Sequence, residues 1–172
     1  FSIWIASLPP DQPRFTVALS GGSTPRRLFE IWSESYANTI DWHRIHFFWG
    51  DERCVPPASE ESNFGVAHNI FLEGLEVDSN NIHRIRGEDD PQSECDRYEK
   101  EILNQLETNA DNTPVFDLII LGMGEDGHTA SIFPHESHLL DSERICEVAT
   151  HPRTGQKRIT LTGRVLNAAK RV

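Results

Sequence analysis

The sequence predicts an α/β fold built on a parallel sheet, and three observations carry that expectation. Short apolar runs alternate with segments of helical periodicity. Three of those runs end in glycine. One of them, "VFDLIILGMG" (115–124), is continuously apolar, as a strand buried on both faces is.

The elements follow in chain order. "RFTVALSGG" (14–22) predicts a strand closing in a glycine turn. "STPRRLFEIWSESY" predicts a helix capped by Ser23 or Thr24, with Pro25 at its first position and Leu28, Ile31 and Trp32 at helical spacing. "RIHFFWGDER" repeats the theme, because the apolar run 45–49 breaks at Gly50 and delivers Asp51, Glu52 and Arg53 on a loop. Helices are predicted over 62–72 and 91–107, then the buried strand over 115–124, and "RICEVAT" and "KRITLT" are two further short strands. "PPASEES" and "GEDDPQSE" read as loops, and "LETNADNTP" as a connector within one domain. No internal repeat or low-complexity tract is visible. In open parallel sheets ligands gather at the carboxyl ends of the strands, and the glycine breaks after Leu19, Trp49 and Leu121 all fall there.

The 172 residues suit one α/β domain, 1–172, and are read as a fragment of a longer catalytic domain, since they open on Phe1 and stop within the helix-like "LTGRVLNAAKRV". No leader and no membrane-length apolar run is seen, so a cytoplasmic protein is expected. A net charge of −11 argues against nucleic-acid or anionic-membrane partners but leaves room for a small anionic substrate held by a few local donors. Cys54, Cys95 and Cys146 form neither a disulfide framework nor a zinc knuckle, which suits a reducing cytosol. Trp4, Trp32, Trp42 and Trp49 are read as core.

The glycine-ended runs differ in what they present. In "SGGSTP", Gly21 and Gly22 allow close approach of backbone N–H groups to a ligand, a helix N-terminus follows, and Ser20, Ser23 and Thr24 add hydroxyls. That makes an anion cradle or an ordinary capped turn; it is neither a Walker loop nor a dinucleotide fingerprint. In "GDER", Asp51 could orient a histidine or take a proton, and Arg53 could grip a phosphate or carboxylate, or pair with an acidic neighbour. "GEDGHTASIFP" is the richest: His128 brings an imidazole, the side chain suited to proton transfer near neutral pH, Asp126 lies two residues before it, and Gly122, Gly124 and Gly127 would permit the contortion that aims the imidazole inward. Thr129 and Ser131 are expected to cap a short helix after it. The pairs His43/His46 and His135/His138 are read as surface or half-buried groups, and no metal is expected. Cys54 beside Arg53 invites a lowered pKa, but no base is tied to it, so a nucleophile is not expected.

"ALSGGSTP", "FFWGDERCVPPASEESNFG", "FDLIILGMGEDGHTASIFP" and "KRITLT" together resemble the 6-phosphogluconolactonase family, whose superfamily includes glucosamine-6-phosphate deaminase/isomerase. The resemblance runs from Phe15 to Lys170. It implies a modified Rossmann-like sheet with helices on both faces, truncated here at both ends, and hydrolysis of 6-phospho-D-glucono-1,5-lactone to 6-phosphogluconate, a step of the oxidative pentose phosphate pathway, with no metal or organic cofactor. It gives His128 the role of general base, with Asp126 or Asp51 orienting it. The "SGGST" loop (Ser20, Gly21, Gly22, Ser23, Thr24), Arg53 and one of Lys157 or Arg158 would bind the phosphosugar lactone. The deaminase branch would carry "DGHIAFNEP" where this chain has "DGHTASIFP", so the lactonase branch is preferred. A monomer or weak oligomer is expected.

Overall fold

Residues 1–9, 14–75 and 77–172 are described by a computed structural model of the chain. In order they form α1 (Ser2–Ala6), β1 (Phe15–Leu19), α2 (Ser23–Ser35), β2 (Ile45–Trp49), β3 (Asp51–Arg53), α3 (Asn63–Ala67), β4 (Ile82–His83), α4 (Pro91–Gln105), β5 (Leu118–Ile119), β6 (Cys146–Thr150), β7 (Lys157–Leu161) and α5 (Gly163–Ala168). Among these, no helix is long and apolar enough to cross a membrane.

The first five-residue run behaves as its composition demands. All of β1 is buried because it lies between two parallel neighbours in a four-stranded sheet ordered β4-β2-β1-β5. Trp32 of α2 and Trp42 pack with Phe47 and Phe71 into an aromatic layer on this sheet. Trp49 is also buried, but Trp4 is exposed with the Arg171 guanidinium 5.0 Å from its ring, contrary to its reading as core.

The remaining strands depart from the expected single parallel sheet. β6 and β7 join β3 in a separate antiparallel sheet ordered β3-β7-β6, so "GDER" is a strand and not a loop. Gly50 is the junction: its N–H donates to Leu19 O (2.8 Å) in the parallel sheet, and its carbonyl accepts from Leu161 N–H (2.8 Å) in the antiparallel one. The Tyr98 hydroxyl closes the gap by exchanging two 2.9 Å hydrogen bonds with the Trp49 backbone. Apolar periodicity records burial but not which sheet a strand joins, so this break was invisible to it.

Smaller differences are local. α2 is capped by Gly22, at φ +106°, with Ser23 already helical. The helix expected over 62–72 is α3 followed by a π-helical turn over His68–Leu72, and α4 ends at Gln105. Only Leu118–Ile119 of the run 115–124 pair in register, although Ile120 N–H still donates to Ala18 O (2.9 Å).

Candidate active site

The loops after β1 and β5 are tied where they leave the parallel sheet, because the Ser20 hydroxyl donates to Ile120 O (2.6 Å). Between them and the antiparallel sheet lies a cavity of about 200 Å³. The β1 loop lends it Ser20, Gly21 and Gly22, β3 lends Asp51 and Arg53, α3 lends Asn63, and β7 lends Arg158. Gly122, Met123, Gly124, His128 and Ala130 close it from the loop after β5.

His128 is placed by its own loop. Its Nδ1 lies 2.5 Å from Asp126 Oδ1, and its carbonyl accepts from Gly124 N–H (2.8 Å). The hydrogen bond from the imidazole holds the Asp126 carboxyl below its usual range. A carboxylate can only accept, so Nδ1 is the donor, and no described residue hydrogen-bonds Nε2, which carries the lone pair in the neutral ring. The glycines have distinct duties: Gly127 turns the chain at φ +84°, and a Cβ on Gly124 would fall 2.2 Å from the imidazole. Ala130 sits at φ +48° in the same turn. Thr129 and Ser131 do not cap a helix; Thr129 donates to Gly122 O (2.9 Å), and Ser131 donates to Asp51 Oδ2 (2.7 Å).

Asp51 makes its hydrogen bonds elsewhere than to the imidazole. Buried, it accepts from Ser131 and has the Asn63 carboxamide against its backbone oxygen (2.9 Å). Of the two acids expected to orient His128, Asp126 is the one in contact.

Two guanidiniums face the same space. Arg53 and Arg158 are cross-strand partners in the β3–β7 ladder, and the buried Nε of each lacks a hydrogen-bond partner. Burial, and then the charge of Arg53, lower the pKa of Arg158. Arg53 makes no ion pair with an acidic neighbour; its Nη1 donates to Glu61 O (2.5 Å). Two cations held together with unsatisfied donors are arranged for an anion. Strand alternation separates the basic pair of "KRITLT": Arg158 enters the cavity, whereas Lys157 is exposed and donates to Thr150 Oγ1 (3.0 Å). Ser23 and Thr24 are likewise exposed on the first turn of α2 and outside the lining.

Cys54 is no thiolate: burial, then the Glu52 charge, push its thiol up to about 11. Among the described residues, no group of three or more His, Cys, Asp and Glu is arranged to hold a metal.

Residues 5–172 match the family model described as glucosamine-6-phosphate isomerases/6-phosphogluconolactonase. The chain belongs to this family. It is 51% identical over 156 residues to the 6-phosphogluconolactonase of Treponema pallidum, covering 91% of this chain and 64% of that protein. Against the Haemophilus influenzae 6-phosphogluconolactonase it is 45% identical, covering 91% and 65%. The chain thus spans slightly less than two thirds of these relatives. A crystal structure of 6-phosphogluconolactonase from Leishmania guyanensis superposes with a TM-score of 0.85 at 32% identity, covering 98% of this chain and 71% of that one. Asn63, Met123 and Ala130 complete the lining of this cavity and were not singled out from the sequence. Asn63 had a faint signal, because it follows the capping Ser62 and so begins a helix whose position only the fold reveals.

Proposed function

We propose that this chain carries the catalytic site for hydrolysis of 6-phospho-D-glucono-1,5-lactone to 6-phosphogluconate. The observation that carries the reading is that His128, with Nδ1 held by Asp126 and no protein partner on its other ring nitrogen, lines the same small cavity as the cross-strand guanidiniums of Arg53 and Arg158. A δ-lactone carbonyl is already electrophilic, so its hydrolysis needs a positioned water, a base and a stabilised oxyanion.

His128 Nε2 takes a proton from water as the oxygen attacks C1. Asp126 holds the Nδ1–H and stabilises the imidazolium that forms. The tetrahedral intermediate collapses with cleavage of the bond from C1 to the ring oxygen, and the imidazolium returns its proton to that oxygen. Arg53 and Arg158 take the C6 phosphate, whose binding anchors the ring for attack. The amides at the amino end of α2, opened by Gly21 and Gly22, meet the developing oxyanion.

The isomerase/deaminase chemistry also named for the family would ask Asp51 to abstract a C2 proton. Asp51 instead has Oδ2 engaged by Ser131, which disfavours it as a mobile base. The deciding experiment assays the protein on the phosphorylated lactone and on glucosamine 6-phosphate, subtracting spontaneous lactone opening. Lactone turnover without ammonia release is expected. Ammonia release alone would assign the deaminase reaction, and phosphosugar binding without turnover would make the protein a sensor.

A further inference from the structure

Glu52 lies one residue from each of two cavity residues yet faces away from the cavity, because alternation along β3 turns Asp51 and Arg53 one way and Glu52 the other. It is only 1% exposed. Its Oε1 accepts from the N–H of Arg53 (2.8 Å) and Asn63 (2.7 Å), and its Oε2 from the N–H of Phe64 (2.8 Å) and the hydroxyl of Ser62 (3.0 Å). Ser62 already caps α3 by accepting from Gly65 N–H (3.0 Å), so capping alone does not call for a buried carboxylate. All four contacts come from neutral donors. Burial pushes the carboxyl up, and the hydrogen bonds from Phe64, Asn63, Arg53 and Ser62 act against that push.

Those donors bear on the site. Asn63, fixed by its amide, sends its carboxamide to Asp51 O and packs so tightly on Gly21 that a Cβ there would fall 1.9 Å from its Oδ1. Arg53, fixed by its own amide, stands opposite Arg158, and the Glu52 charge is among those that favour the Arg158 cation. We propose that Glu52 is a positioning residue for the anion-binding end of this site. Its carboxylate gathers the Arg53 amide and the first turn of α3, holding Arg53 beside Arg158 and Asn63 against Asp51 and Gly21. The proposal rests on the lactonase reading, with the phosphate between the two arginines.

The test compares the 172-residue chain with Glu52→Gln and Ser62→Ala, using phosphorylated and unphosphorylated gluconolactone. Glu52→Gln keeps the shape but turns an amide nitrogen toward N–H donors, leaving at least one without an acceptor. It should raise KM for the phosphorylated lactone about tenfold more than for the unphosphorylated one, while any loosening of Asn63 from Gly21 lowers kcat for both substrates alike. Ser62→Ala, which keeps the charge, should act in the same direction by a few-fold, and it keeps the test open if Glu52→Gln does not fold. A merely structural role would lower the melting temperature and the active fraction for both substrates alike; an unchanged KM ratio therefore overturns the proposal. Hydrogen exchange at Asn63 and Phe64 is read independently of turnover. It should accelerate at least tenfold in Glu52→Gln at pH 7, and unchanged protection there also overturns it. If the wild-type protein does not turn over the lactone, the functional reading fails, and the exchange measurement still decides whether Glu52 holds this turn.

Discussion

Two hydrogen-bonded histidine–carboxylate pairs occur among the described residues, and they differ in what surrounds them. In the first, His128 Nδ1 meets Asp126 in a glycine-rich loop. In the second, His83 Nδ1 lies 2.7 Å from Glu101, its Nε2 lies 3.0 Å from His46 Nδ1, and its ring stacks on Phe48. The second pair even borders a larger cavity, about 570 Å³ beside β4 and α4. Its difference lies in satisfaction. Both ring nitrogens of His83 are engaged, Arg84 is paired with Glu88, and Arg97 with Glu94 and Glu101. In the cavity that His128 lines, one imidazole nitrogen has no protein partner, and Arg53 and Arg158 form no ion pair with a described carboxylate. Cavity size and a histidine–acid contact are therefore poor guides; unspent hydrogen-bonding capacity is the better one.

Replacing the two histidines in turn is the most direct attempt to break this comparison. His128→Ala should reduce lactone turnover by roughly 10²–10⁴-fold, the usual loss of a general base, without unfolding the chain. His83→Gln should leave turnover within a few-fold. A similar loss in both, measured at matched folded fraction, would erase the distinction. Asp126→Asn should cost more than tenfold, because an amide can donate to Nδ1 and favours the tautomer whose Nε2 carries the proton. Gly124→Ala sharpens the same point from the backbone: the added Cβ displaces the imidazole, so kcat should fall by about tenfold or more while the far-ultraviolet circular dichroism stays unchanged.

Arg53→Met and Arg158→Met test the anion end. Each should raise KM for the phosphorylated lactone by about 10- to 100-fold, the worth of one or two hydrogen bonds to a charged group. An equal loss on unphosphorylated gluconolactone would move these residues to the carbonyl. Lys157→Met should have little effect on either, because the side chain points away.

The smallest effect belongs to the second pair. Burial and then the His83 charge lower His46 to about 4, and burial lowers His83 as well. A base whose folded pKa is depressed leaves the unfolded chain binding more protons at acid pH. The stability it contributes is thus present above about 6.5 and is lost as pH falls toward about 4. Melting temperatures measured across that window should fall in wild type and fall less steeply in His46→Gln; parallel curves would show that this pair does not couple to folding.

Much of this architecture was legible in one dimension because it rests on local rules. The strand at β1, the glycine turn before α2, the start of α4 at Pro91 and the placing of His128 in a loop with Gly124 and Gly127 all follow from residues within one or two turns of one another. The choice of Asp126 over Asp51 belongs to the same class once a backbone is in view, since the contact spans two residues. Strand alternation likewise separates Lys157 from Arg158, although only the fold says which face meets the cavity.

What the tertiary structure alone decided are contacts between residues far apart in the chain. Ser131 reaches Asp51 across 80 positions, and Arg158 reaches Arg53 because Gly50 passes the chain from a parallel sheet to an antiparallel one. Glu52 reads in sequence as one more acid in a charged tetrapeptide; its meaning appears only when the α3 turn is brought over it. Hydrophobic pattern and turn chemistry encode which groups are buried and where the chain bends. They do not encode which distant partner completes a buried polar group, because that depends on the path of the whole chain.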